Sequence, residues 1–211
     1  MSDFDNEEYE TFDFVAARAD RQGPVAQAVD QQPEPDDVED DEDDDEDDLE
    51  DASDDEIDFV IAAYREDGQA IAQGLNPDLA NDLEELVDQL RRLPGDAGAI
   101  GFVSLVEEVF VICRVRGRHV QVLLSDGGAA GEWPIARDVA DYLGVDIPED
   151  EDDADPMGDL GLLADLGVGE FDLETILDND DLGSDQMLIE VAERLKIGDE
   201  FRRVAEALLG S

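Results

Sequence analysis

Two hydrophobic periods alternate along the chain from Ile57 onward. In IDFVIAAY (57–64) residues Ile57, Phe59, Ile61 and Ala63 fall on one face of a strand, and Asp67-Gly68 supplies a hairpin turn before a weaker strand at 69–74. The period then lengthens. Asn76-Pro77 reads as an N-cap followed by proline at the first helical position, and Leu79, Leu83, Leu86, Val87, Leu90 and Leu93 recur at helical spacing until Pro94-Gly95. This stripe predicts one core-facing helix. Three apolar segments follow, AIGFVSLV (99–106), VFVICRVR (109–116) and HVQVLLS (119–125), joined at Glu107-Glu108 and Gly117-Arg118. Connections this short require an antiparallel meander, because a parallel return needs a dozen or more residues. After DGGAAGEW (126–133) a helix opens at Pro134 and is predicted to bury Ile135, Val139, Tyr142 and Leu143.

The order β-β-α-β-β-β-α over residues 57–147 predicts an α+β fold, an antiparallel sheet with helices packed on it. Roadblock-like and profilin-like domains share this order, an analogy of fold that carries no function. Beyond a linker at 148–157, bounded by Pro148 and Pro156, the pattern is purely helical over 158–209. Leu160, Leu162, Leu163 and Leu166 lead to Phe171, Leu173, Ile176 and Leu177. Caps at Ser184 and Asp199 then open helices carrying Leu188, Val191, Ala192 and Leu195, and Phe201, Val204, Ala205 and Leu208. So short a helical bundle has a marginal core alone and is expected to dock on the sheet or on a partner.

Charge sharpens these boundaries. The 211 residues hold 62 Asp or Glu against 13 Lys or Arg, a net charge of −49, and residues 1–56 alone contribute −24. Within Glu34–Glu56, 18 of 23 residues are acidic, a block that repels itself and has almost nothing to bury, so 1–56 reads as a disordered acidic arm. Ahead of that block Phe4, Tyr9, Phe12 and Phe14 alternate with acids, a composition seen in segments that fold onto a partner. The global charge disfavours DNA and anionic membranes. With no long apolar run and no basic-then-apolar leader, a membrane span or secretory signal is not expected, and the location expected is the cytoplasm.

Candidate chemistry is sparse. A zinc nucleobase deaminase needs H-x-E and P-C-x-x-C segments, whereas His119 is followed by Val120-Gln121 and Cys113 is the single cysteine. Cys113 alternates with Val109, Val111 and Val115 and reads as core. The glycines of 127–131 lack the Lys-Ser or Lys-Thr of a phosphate loop, and a calcium loop opening at Asp178 would have Ile189 at its twelfth position, where a bidentate Glu is needed. No cofactor, metal or catalytic residue is expected, and the reading is of a protein that is not an enzyme. Trp133 is a hinge packed on the sheet or a binding anchor. Arg114, Arg116 and Arg118 with His119 form a basic island at one hairpin tip, with Arg114 and Arg116 facing away from Cys113. They read as solvated charges, or as a site for RNA phosphate or the chain's own acidic arm, and RNA contact is expected only near Arg114–Arg118.

The segments DFVIAAYREDGQ, GFVSLVEEVFVICRV, VQVLLSDGGAAGEWPIARDVADYLGVDIP and DPMGDLGLLADLGVGEFDLETILDNDDLGSDQMLIEVAERLKIGDEF resemble the bacterial family of tRNA adenosine deaminase-associated proteins. The resemblance covers about Asp58 to Phe201, and residues 1–56 lie outside it. It implies an association, by gene neighbourhood, with a tRNA adenosine deaminase that makes wobble inosine, and it implies no activity. The leading expectation is a non-catalytic acidic partner of the deaminase that docks on the enzyme's basic surface, with Phe12, Phe14, Trp133, Arg114, Arg116 and Arg118 as candidate contacts. The alternative is a general interaction or scaffold protein unrelated to the deaminase.

Overall fold

The structure, a computed structural model, describes residues 49–148 and 155–210. Phe12, Phe14 and most of the acidic arm lie outside the described residues, as does the middle of the acidic linker. The fold is α+β. Its sheet comprises β1 (Ile57–Glu66), β2 (Gln69–Gly74), β3 (Ala99–Leu105), β4 (Val109–Arg116), β5 (His119–Leu124) and β6 (Met157–Gly158), in the order β2-β1-β3-β4-β5-β6. Every pairing is antiparallel, including the predicted meander β3-β4-β5. β6 was not predicted, because two residues carry no period. Gly158, at φ 113°, is what admits it: a Cβ there would sit 2.2 Å from the Val122 carbonyl oxygen.

Alternation along the strands divides the core. Val60, Ala62, Val103, Leu105, Val111, Cys113, Val115 and Val122 face α1 (Leu83–Arg91) and α2 (Pro134–Leu143). Phe59, Ile61, Ile100, Phe102, Phe110, Ile112 and Leu123 face the opposite way, into a core completed by Leu162, Leu163 and Val168 and by α3 (Glu170–Leu177), α4 (Ser184–Arg194) and α5 (Gly198–Leu209). The predicted helical segment therefore packs on the sheet, and β3 and β4 are buried on both sides. Ile57 departs from the predicted face. A register shift between Ile57 and Phe59 adds a residue to the pairing with β3 and turns Ile57 toward the α1–α2 core.

Other local expectations are corrected. The helix predicted from Pro77 is broken into a 3-10 turn at Pro77–Ala80 and α1, because Asp82 adopts an extended backbone and its side chain accepts from Glu85 N at 2.8 Å. Asp three residues before Glu at the head of an apolar stripe is the sequence signal of such a cap. Tyr142 is 54 % exposed rather than buried. Ser184 begins α4 but does not cap it, since its hydroxyl is buried against that of Ser104 at 2.7 Å, and Asp199 lies in the first turn of α5, not at its cap. Ordered packing also reaches upstream of Ile57: Ala52 is buried and exchanges hydrogen bonds with the Asn81 side chain.

The β3–β4 connection uses Val106 and Glu107 at φ 47° and 57°, not Glu107-Glu108. A β-branched residue in the left-handed region is strained and persists only where neighbours over-determine it. Here Val106 N donates to Glu56 O at 2.9 Å, Glu107 N to Asp58 Oδ2 at 2.8 Å, and Ser184 N to Glu107 O at 2.8 Å. Ser104 also donates to Asp58, so the hydroxyl of Ser184 donates to Ser104 and the first turn of α4 is tied to the sheet.

Candidate functional site

The basic island is built differently from either reading of it. Parity places Arg114 away from Cys113, as predicted, but that face of the sheet is covered, and Arg114 is 1 % exposed. Its Nη1 donates to the Leu162 carbonyl at 2.6 Å, and its two Nη atoms grip the two carboxylate oxygens of Asp165. Asp165 is carried there by the 3-10 turn Ala164–Leu166, and Arg114 holds its carboxyl below the usual carboxylate range. Arg116 reaches the same carboxylate at 3.3 Å and Gln121 at 3.4 Å. Only Arg118 and His119 are left at the exposed tip without an ion-pair partner among the described residues. The expectation of three solvated arginines is thus corrected: one arginine is an internal clamp and a second is partly neutralised.

Trp133 is half-buried, packed against the α1–α2 core, and precedes α2 in an extended conformation that aims Pro134 into the first helical turn. Cys113 is fully buried, and burial pushes its thiol up to about 12, which keeps it protonated and unreactive. In the glycine-rich loop Asp126 accepts from Gly128 N at 2.8 Å and leads into a 3-10 turn at Gly128–Gly131. Among the described residues no group of three or more His, Cys, Asp or Glu side chains is arranged to hold a metal ion. Nor is any helix among them long and apolar enough to cross a membrane.

Sequence reasoning missed Phe171, which it counted as core. Leu173 and Ile176 turn the other face of α3 inward, leaving Phe171 78 % exposed. It borders a groove of about 550 Å³ whose charged lining is entirely acidic: Asp155, Glu174 and Asp178. In sequence, the five residues 149–153 just upstream are all acidic as well. The signal available was the order of α3: Phe171 lies two residues before Leu173, and positions two apart do not share a helix face.

A second, mainly acidic cleft, of about 510 Å³, lies between α1 and α2, where Asp82, Glu84, Asp138 and Asp141, with Arg91 as the one cation, line the wall around exposed Tyr142. Burial pushes the Asp138 carboxyl above the usual range; its bond from Leu83 N, at 3.0 Å, opposes that, and Asp82 and Asp141 add to it. Tyr142 donates its hydroxyl to Val120 O at 3.1 Å, so the ring is fixed although exposed. Rings set among carboxylates suit the Arg and Lys side chains of a partner, through cation–π contact and charge-assisted hydrogen bonds.

Comparison with known proteins gives this surface a context. Residues 58–198 match the family model described as Rv3753c-like tRNA adenosine deaminase-associated protein. The chain belongs to this family. It is also 37 % identical over 153 residues to Protein Rv3753c of Mycobacterium tuberculosis (strain ATCC 25618 / H37Rv), spanning 71 % of this chain and 88 % of that one. No solved structure matches the chain. The family match runs from the second residue of β1 through α4, and takes in Phe171, both acidic grooves and the Arg114–Asp165 clamp, while the acidic arm lies outside it.

Proposed function

We propose that this protein is a non-catalytic, acidic partner of a tRNA adenosine deaminase that docks on the enzyme's basic tRNA-binding surface. The family description supports the association, and the geometric observation that carries the mode of contact is Phe171, a large ring exposed at a groove whose charged residues are all acidic. Aromatic side chains, phenylalanine among them, are enriched at protein interfaces, whose rims are polar. A surface that binds tRNA is rich in Lys and Arg, so the groove is complementary to it in sign. The net charge of −49, nearly half of it in the N-terminal arm that also carries Phe12 and Phe14, adds a long-range field that speeds encounter with a basic protein and repels competing nucleic acid. Trp133 is packed against the core and contributes through the fold; Arg116 and Arg118 are left as rim contacts.

Co-purification with the deaminase tests this. The complex is expected at low salt, weakens steeply as salt rises, and yields to excess tRNA. Phe171→Ala is expected to lower the affinity about tenfold or more with the fold intact. Absence of a complex at low salt would rule the proposal out, and a deamination assay with and without the protein gives the sign of regulation.

A further inference from the structure

One cavity runs against the charge of the molecule. It lies between the second face of the sheet and the α4–α5 turn, measures about 220 Å³, and its walls include Ala63, Ile100 and Ile197. All of its charged lining residues are cations, Arg65, Arg114 and Lys196, in a chain with 62 acids and 13 bases. Were the lining drawn from the surface at large, carboxylates would dominate it, as they do in both grooves described above.

The cations are only partly used. Arg65 donates from Nη2 to the Leu195 carbonyl at 2.9 Å and the Lys196 carbonyl at 3.3 Å, capping the end of α4; its Nη1 and Nε have no acceptor among the described residues. Arg114 spends its two Nη atoms on Asp165 and Leu162, while its Nε–H is buried with no acceptor. A buried donor without an acceptor is rare in native structures and calls for an explanation. Lys196 is the chain's single lysine, lies exposed between this cavity and a groove that carries Glu193, Asp199 and Glu200, and has no ion-pair partner within 4 Å among the described residues. It takes φ 60° just after α4, where glycine is the usual choice, so a long cationic side chain is kept at a position whose backbone disfavours it.

We propose that this cavity binds a small organic anion, with a carboxylate or phosphate head against Arg65, Lys196 and the Arg114 Nε–H, and a compact apolar body against Ala63, Ile100 and Ile197. Its volume is that of about seven waters in the liquid and is below the roughly 300 Å³ at which drug-sized pockets begin, so the body is no larger than a single ring or a short aliphatic chain. The site is separate from the Phe171 groove, and its occupancy does not depend on the deaminase.

Titration of the full chain with benzoate and with phenyl phosphate, followed by amide chemical shifts of Tyr64, Ile100 and Ile197, tests the proposal. At least one of the two anions is expected to give saturable shifts, and whichever binds more tightly assigns the head group. Neutral benzamide is expected to bind about tenfold more weakly than benzoate, the loss that a missing charge-assisted hydrogen bond brings. Lys196→Gly, which suits the left-handed backbone and so preserves the fold, is expected to weaken anion binding severalfold with the melting temperature held. Absence of saturable shifts with both anions, benzamide binding as well as benzoate, or an unchanged affinity in Lys196→Gly would each overturn it.

Discussion

The two faces of the sheet are covered in different ways. Toward α1 and α2 the strands present Val, Ala, Leu and Cys side chains, met by Leu86, Val87, Leu90, Ile135 and Val139. Toward α3–α5 they present an aromatic set, with Phe201 edge-on to Phe59 and Phe102 at 5.7 and 5.0 Å between centroids, and two buried polar devices, Ser104–Ser184 and Arg114–Asp165. The first cover arrives on helices that sit between strands in the sequence, whereas the second arrives from residues after the last long strand. Apolar contact alone tolerates slippage. A buried hydroxyl or guanidinium that loses its partner is costly, so the polar devices admit one seating of the second cover and penalise the others.

The largest effect that tests this contrast is Phe201→Ala. It removes the ring that both Phe59 and Phe102 pack against, and is expected to cost about 3–5 kcal/mol in urea unfolding. Because β1, β3 and β4 are buried by both covers, one transition with an unchanged denaturant slope is expected. A biphasic curve in which the α1–α2 side outlasts α3–α5 would break the comparison, making the second cover a separate unit.

Next in size is the clamp, where the two partners are unequal. Asp165 is half exposed and Arg114 is not, so Asp165→Ala leaves a buried guanidinium without its counter-charge, while Arg114→Met leaves a carboxylate that water can reach. Asp165→Ala is expected to cost about 2–3 kcal/mol, reduced from the fully buried case by solvent screening, and Arg114→Met clearly less. Equal losses would mean that the pair acts as a surface bridge. Because Arg114 holds the Asp165 carboxyl below its unfolded value, the stabilisation is complete above that unfolded value, near pH 4, and is lost as pH falls through the folded one. Asp165→Asn should therefore flatten the acid limb of the stability curve.

Much of the fold is legible in the residues. Five of the strands, the meander, α2, α4 and α5 follow from period and punctuation, as does the side of the sheet on which Arg114 lies. What the residues withheld was which faces are covered. An arginine flanked by valine and cysteine has the same sequence signature whether its face meets water or the segment at 159–168, and that segment has no period to announce where it lands. Phe171 fails for the converse reason: an aromatic among apolar neighbours on a short helix scores as core until the packing of Leu173 and Ile176 fixes which side is out. The acidic grooves are tertiary, with each rim assembled from distant parts of the chain.

The smallest effect sharpens the comparison from the apolar side, where one polar group bridges α1 and α2. Asp138 accepts from Leu83 N and so caps α1 from a neighbouring helix, yet burial disfavours its charge. Its folded-state pKa is raised, so the contribution of its ionisation equilibrium is present below the unfolded value and is lost as pH rises through the folded one. At neutral pH burial and the neighbouring Asp82 and Asp141 penalise the charge, and the bond from Leu83 N offsets this only in part. Asp138→Asn keeps an oxygen for Leu83 N and discards the charge, and is expected to leave stability unchanged or raise it by a few tenths of a kcal/mol, discounted because the group is partly solvated. Asp138→Ala discards both and is expected to lose about 1 kcal/mol. Urea unfolding at pH 7 and pH 4 separates the two contributions: any advantage of Asn over Asp shrinks at the lower pH, where the native carboxyl takes up its proton, while the Ala deficit persists. If Asn costs as much as Ala at both values, the carboxylate charge itself is holding α1, and this side of the sheet depends on an electrostatic device as the other does.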